Sequence, residues 1–179
     1  MHQEIIFSGF GGQGALFAGQ LLAYAALDSG LQVTWIPSYG PEMRGGTAHC
    51  TVVVSDQPIG SPLVRRPAAV VALNLPSFEM YEPLIKPGGL LVYNASLVAA
   101  HPTRDDMRYV AVPANDIAEE LGNVRQANVV LLGAYLAETG FLALEAVETA
   151  LDHHLSERQR RFLASNKEAL HRGAACIGN

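Results

Sequence analysis

The stretch Ile5-Ile6-Phe7-Ser8-Gly9-Phe10-Gly11-Gly12-Gln13-Gly14-Ala15-Leu16-Phe17-Ala18-Gly19 decides how this chain folds. A short apolar run leads into Gly9, Gly11 and Gly14, and a helical pattern follows. This is the G-x-G-x-x-G spacing with a strand before it and a helix after it. One glycine permits the tight turn, a second lets backbone approach a ligand or another chain, and a third lets helix and strand pack closely. The helix opens with N–H groups that lack intrahelical partners, at the strand ends where anions bind. A strand-to-helix turn that binds nothing uses the same glycines, so the motif speaks to fold before function.

Working outward, Glu4 to Ser8 form a first strand whose continuous apolarity suits burial on both faces. Leu16, Phe17, Leu21, Leu22, Ala25 and Ala26 make one helical stripe, and Gly30 stops the helix. Gln32 to Ile36 form the second strand. A dinucleotide-binding domain places Asp or Glu at the end of this strand to grip a ribose hydroxyl. Here the chain runs into Pro37-Ser38-Tyr39-Gly40, with no acid before Glu42, and nicotinamide binding is set aside.

The second informative stretch is Ser38-Tyr39-Gly40-Pro41-Glu42-Met43-Arg44-Gly45-Gly46-Thr47. It reads as a loop between two strands, too short for a helix. Pro41 fixes one backbone angle while Gly40, Gly45 and Gly46 permit unusual ones. Tyr39, Met43 and Arg44 are residue types favoured at interface centres. Arg44 can form a bidentate pair with a carboxylate or phosphate. A solvated loop whose Arg44 pairs with Glu42 is the alternative.

Ala48 to Ser55 read as a third strand, antiparallel to the second or at an edge because the link is short. Residues 59–67 read as irregular. Ala68 to Leu73, a helix started at Pro76 and running to Ile85, and Leu90 to Tyr93 make a strand–helix–strand unit, expected to cross over with the right hand. Tyr109 to Val112 form the last short strand. The remainder reads as helical. Asn115 is placed to cap a helix ending at Gly122, Asn128 to Glu138 are apolar all round, and Leu142 to Leu155 form another helix. Ser156 with Gln159 makes a capping box opening a final helix to about Ala175.

Only 16% of the 179 residues are charged and 49% are hydrophobic. Globular proteins carry about a quarter charged residues. The shortfall suggests a surface partly covered by a partner, although a compact parallel sheet also lowers it. The net charge of −5 weighs against nucleic acid. No leader opens the chain and no apolar run is long enough to span a bilayer, so a cytoplasmic protein away from the membrane is expected. Cys50 and Cys176 make no disulfide framework, and two thiols cannot hold an iron–sulfur cubane, which takes four. Both read as small apolar core residues. His153 and His154 diverge on a helix, Arg158, Arg160 and Arg161 read as a solvated face, and Asp105-Asp106 reads as a polar turn. No Ser-His-Asp, Cys-His or zinc-binding pattern is present.

Taken together, Gly9-Phe10-Gly11-Gly12-Gln13-Gly14, the Ser38-to-Gly46 loop, Ser55-Asp56 with Ile59 and Ser61-Pro62, and Gly122-Asn123 with Asn128 resemble the gamma subunit of 2-oxoacid:ferredoxin oxidoreductases. The resemblance covers the chain to about Leu136, and the paired loops are far more specific than either alone. It implies a Rossmann-like three-layer α/β fold, as one domain over residues 1–179. Its sheet would be mostly parallel, with helices on both faces and a helical C-terminal region. It implies a subunit of a complex that decarboxylates a 2-oxoacid oxidatively to an acyl-CoA and reduces ferredoxin. Thiamine diphosphate, Mg and iron–sulfur clusters would sit on alpha, beta and delta partners, with coenzyme A as co-substrate. This chain would hold no cofactor or catalytic residue alone, would be inactive alone, and could pair with itself when isolated. The wording of the loop leans towards 2-oxoglutarate or a branched-chain acid, with pyruvate the other family substrate. The residues expected to line the substrate or coenzyme A crevice, or the partner interface, are Gly9, Gly11, Gly12, Gln13, Gly14, Ser38, Tyr39, Gly40, Pro41, Glu42, Met43, Arg44, Gly45 and Gly46. A free-standing nucleotide- or flavin-binding reductase and a purely structural interaction subunit are the competing readings.

Overall fold

A computed structural model describes residues 1–39, 46–99 and 102–178. Six strands form one mixed sheet in the order β2-β3-β1-β4-β5-β6. They are β1 (His2–Phe10), β2 (Gln32–Tyr39), β3 (Thr47–Ser55), β4 (Ala69–Ala72), β5 (Leu90–Asn94) and β6 (Arg108–Val112). The pairs β1–β4, β4–β5 and β5–β6 are parallel, whereas β3 runs antiparallel to both β1 and β2. Strand β3 alone therefore opposes the common direction. The short link from β2 forces this reversal, and β3 lies between β2 and β1 rather than at the edge.

Strand β2 occupies that edge and continues through Pro37 and Ser38 to Tyr39, three residues beyond the expected end at Ile36. Proline has no N–H to donate, which bars it from central strands but not from an edge where the missing donor faces outward. The element signal at Pro37 was misleading because the sequence does not reveal which strand is an edge.

The helices are α1 (Ala15–Asp28), α2 (Leu75–Tyr81), α3 (Ala114–Glu120), α4 (Ala127–Thr139), α5 (Leu144–His154), α6 (Glu157–Arg160) and α7 (Leu163–Ala174). They cover the two faces unequally. Ile5, Phe7, Val52, Val54, Val71 and Val92 turn towards α1, α3, α4, α5 and α7 in the larger core. Ile6, Val70, Ala72 and Leu91 turn the other way, towards Phe78 and Tyr81 of α2. In α4 every residue from Ala127 to Leu136 is buried, in agreement with its unbroken apolarity. Two glycines let α4 and α7 cross backbone against backbone. A Cβ on Gly133 would lie 2.0 Å from the Leu170 carbonyl oxygen, and one on Gly173 1.8 Å from that of Val130.

Two expected helix starts differ. Pro113 rather than Asn115 occupies the cap position of α3, and Asn115 sits in its first turn. The Ser156–Gln159 capping box forms, but it opens only the single turn of α6 before a break at Arg161 and Phe162. Among the described residues no helix is long and apolar enough to cross a membrane.

Candidate functional site

The chain leaves β1 by way of α1 towards one sheet edge, and leaves β4 by way of α2, on the opposite face, towards the other. The carboxyl ends of β1 and β4 are thus a topological switch point, where an open α/β sheet forms a crevice. The glycine turn sits there. Gly12 and Gly14 adopt positive φ of 96° and 82°, a region costly for any residue with a Cβ. Gly9 has ordinary φ but no room, since a Cβ would meet Gln13 Oε1 at 2.9 Å and Leu73 Cβ at 3.0 Å.

The close helix–strand contact expected of the third motif glycine belongs instead to Gly19. Its added Cβ would fall 2.3 Å from Cys50 Sγ on β3. Gly14 serves a different contact: its carbonyl accepts from Asn128 Nδ2 of α4 at 2.9 Å.

The two informative loops meet. Gly11 N–H donates to Gly46 C=O at 3.2 Å, one step beyond the last β1–β3 pair, Phe10–Thr47. Gly9, Gly11, Gly12, Gln13, Gly14 and Gly46 are therefore gathered at one sheet end. Strand β2 is co-directional with β1, so Ser38 and Tyr39 reach the same end, as strand residues rather than loop residues. Gly40, Pro41, Glu42, Met43, Arg44 and Gly45 lie outside the described residues.

Neutral amide side chains brace the turn. Gln13 Oε1 accepts from Phe10 N–H at 2.7 Å and from Asn74 Nδ2 at 2.9 Å. Asn74 caps α2 by accepting from Ser77 N–H at 2.9 Å. Asn94, at the end of β5, donates to Asn115 Oδ1 at 2.8 Å. Gln13, Asn94 and Asn115, with Arg125, line a cleft of about 250 Å³ beside Gly12. The Asn94 Oδ1 acceptor is buried there without a partner among the described residues. Asn74 and Asn94 carry no chemistry of their own and were not singled out by motif, whereas Asn115 was expected only as a helix cap. The Asn74-x-x-Ser77 cap before Pro76 was the available signal.

Among the described residues, few ionisable groups lie nearby. His49 packs edge-on to Tyr81 with ring centroids 5.9 Å apart, and burial holds its pKa below the usual imidazole value. Burial pushes the Cys50 thiol up to about 12, which disfavours the reactive thiolate at neutral pH. Among the described residues no three His, Cys, Asp or Glu side chains are grouped to hold a metal. Among the described residues the arrangement offers backbone N–H groups, amides and Arg125, which can bind and position.

Known proteins share this fold. The family model for pyruvate ferredoxin/flavodoxin oxidoreductase matches residues 4–176. The ketoisovalerate oxidoreductase subunit VorA of Methanothermobacter marburgensis is 39% identical over 167 residues, which is 93% of this chain and 33% of VorA. The chain thus spans about a third of that relative. The 2-oxoglutarate synthase subunit KorC of the same organism is 37% identical over 158 residues, covering 84% of this chain and 85% of KorC. The solved gamma subunit of a keto/oxoacid ferredoxin oxidoreductase from Geobacter sulfurreducens superposes with TM-score 0.83 and 33% identity, covering 97% of both chains. The 2-oxoglutarate:ferredoxin oxidoreductase of Magnetococcus marinus, solved with 2-oxoglutarate, coenzyme A and succinyl-CoA, gives TM-score 0.87 at 26% identity over 98% of this chain and 31% of that one. A sheet with this order, this glycine turn and matches of this extent lead to one conclusion: the chain belongs to the pyruvate ferredoxin/flavodoxin oxidoreductase family.

Proposed function

We propose that this chain is the gamma component of a 2-oxoacid:ferredoxin oxidoreductase. It would form one wall of the site where a 2-oxoacid is converted oxidatively to its acyl-CoA. The observation that carries this reading is the Gly11–Gly46 hydrogen bond, which ties the glycine turn to the base of the second loop at the sheet's crevice end. Relatives named as subunits of ketoisovalerate and 2-oxoglutarate enzymes support it. So does the structural neighbour solved with 2-oxoglutarate and coenzyme A.

Two cysteines in the whole sequence cannot supply the four thiolates of a cubane, so electron transfer belongs to partner subunits. Thiamine diphosphate and Mg would sit on partners as well. Its own contribution is to hold the two loops against the alpha and beta partners. Arg44 would pair there with a partner carboxylate or with an anionic group of substrate or coenzyme A. The chain works in the cytoplasm, with ferredoxin as the acceptor of the whole complex.

Mixing the chain with its thiamine-binding and cluster-binding partners and following ferredoxin reduction tests the reading. Activity that requires a 2-oxoacid, coenzyme A and this chain together supports it. Ferredoxin reduction by the chain alone, or full activity of the partners without it, refutes it. In the assembled complex, Arg44→Ala should lower turnover by about tenfold or more, the loss of one charge-assisted pair.

A further inference from the structure

The two edges of the sheet are guarded unequally. Strand β6 at one edge is five residues long and opens with Arg108, whose side chain pairs with Glu138. Short length and charge are the usual defences against an added strand. Strand β2 at the other edge runs for eight residues, Gln32–Tyr39, and carries no charged side chain. None of residues 32–38 is buried, and among the described residues no strand covers the outer side of β2.

The ladder dictates which main-chain groups of β2 face outward. In an antiparallel pair, residues that exchange hydrogen bonds alternate with residues whose N–H and C=O point away. Gly11 N–H donates to Gly46 C=O and Asp56 N–H to Met1 C=O, each at 3.2 Å and in line with the β1–β3 register. These two bonds set the phase: even-numbered residues of β3 bond to β1, so odd-numbered ones bond to β2. Their partners in β2 are Gln32, Thr34, Ile36 and Ser38. Val33, Trp35, Pro37 and Tyr39 therefore turn their main-chain groups outward. Pro37 belongs to this outward set, so its missing N–H leaves the β2–β3 ladder whole. An added strand finds a donor and an acceptor at Val33 and at Trp35, but only an acceptor at Pro37.

We propose that β2 pairs antiparallel with β2 of a second copy, about a twofold axis at Thr34, joining the two six-stranded sheets into one. Val33 of each copy exchanges both main-chain bonds with Trp35 of the other, and the two Thr34 residues face each other across the axis. Identical strands in this register set no like charges opposite one another, because β2 has none. Val33 and Trp35 already pack against the larger core, and the pairing continues that core across the axis. An axis nearer Tyr39 places Pro37 inside the paired segment, opposite a carbonyl that it cannot bond. An axis nearer Gln32 enlists Leu31, whose N–H is already given to Ala26 C=O at 3.1 Å. The pairing needs no other subunit and is separate from the assembly role.

The test uses the full chain alone. Sedimentation velocity over a concentration series should show a reversible equilibrium between monomer and dimer. Amide hydrogen exchange carries the signature: protection of Val33 and Trp35 should rise with the dimer fraction, whereas Thr34 and Ile36, bonded to β3, start protected in the monomer. Thr34→Lys and Thr34→Glu should each weaken self-association about fivefold, since like charges then face across the axis, and an equimolar mixture of the two should restore it. The Thr34 hydroxyl has no partner among the described residues, so its removal breaks no bond of the monomer. A chain that stays monomeric at every soluble concentration would overturn the pairing. So would a dimer in which the Val33 and Trp35 amides exchange as they do in the monomer, or charge variants that fail to restore each other. Protection of these two amides only by the thiamine-binding or cluster-binding partners would give the edge to them and overturn it as well. Each of these results can occur while the complex still turns over, so the two proposals fail separately.

Discussion

Asn128 and Gly14, 114 residues apart in sequence, hold the start of α1 to the start of α4. The Asn128 Nδ2 donates to the Gly14 carbonyl at 2.9 Å, and the same nitrogen lies 2.4 Å from where a Cβ on residue 14 would be. Gly14 is thus constrained twice, by its φ of 82° and by its neighbour. Gly14→Ala should cost about 1–2 kcal/mol for the left-handed backbone alone, and more for the overlap. Asn128→Ala should cost about 1 kcal/mol. In the double variant the overlap is gone, so its loss should be smaller than the sum of the two. Urea unfolding of all four proteins measures this coupling, and strict additivity would mean that the contact does not form.

The α4–α7 crossing separates two opposing effects of a helical glycine. Ala in place of a mid-helix glycine gains about 1 kcal/mol of helix propensity. At Gly133 and Gly173 the added methyl would have to enter a facing backbone carbonyl, which no side-chain rotation relieves. The clash should win. Gly133→Ala and Gly173→Ala are each expected to destabilise by about 2–3 kcal/mol in denaturant melts. A gain in stability for either would show that the helices are further apart than described.

Glu82 sets part of the acid limit of stability. Burial alone would raise its pKa, but hydrogen bonds from Tyr109 Oη, Thr103 N–H and Thr103 Oγ1 outweigh this and hold the carboxyl below its usual 4.5. A carboxylate with a depressed folded pKa contributes stability fully above its unfolded pKa, and that contribution is lost as pH falls through the folded value. Glu82→Gln should therefore cost about 2 kcal/mol at pH 7. It should also flatten the fall in stability below pH 4.5, the usual value for this carboxyl. Unfolding free energies across that window in both proteins give the comparison. Equal slopes would remove Glu82 from the account.

The two thiols should react differently. Cys50 is buried with its pKa pushed up to about 12, whereas Cys176 is only partly covered, with burial raising its pKa and nearby Arg172 opposing this. Native protein at pH 8 should show one slowly reacting thiol towards a disulfide reagent, and two after unfolding in guanidinium. Cys50→Ala should leave the native rate unchanged, and Cys176→Ala should abolish it.

Much of the architecture can be read from residue order because the signals are local. Strands β1, β4 and β5 are buried on both faces and announce themselves as unbroken apolar runs. Helix α4 does so through ten consecutive buried residues. The places that mislead are those where a distant neighbour decides. Pro37 reads as a strand end, but β2 is an edge and carries it. Asn115 reads as a helix cap, but Asn94 on β5 takes up its side-chain oxygen.

The amino-acid order alone determined that a glycine turn joins a buried strand to a helix. This follows from backbone freedom, which needs no partner in space. Only the folded chain decided that β3 inserts between β1 and β2, bringing Gly46 to Gly11, and that α1 and α4 start side by side. Strand order and the convergence of helix ends are set by packing between residues far apart in sequence, and no local pattern encodes them.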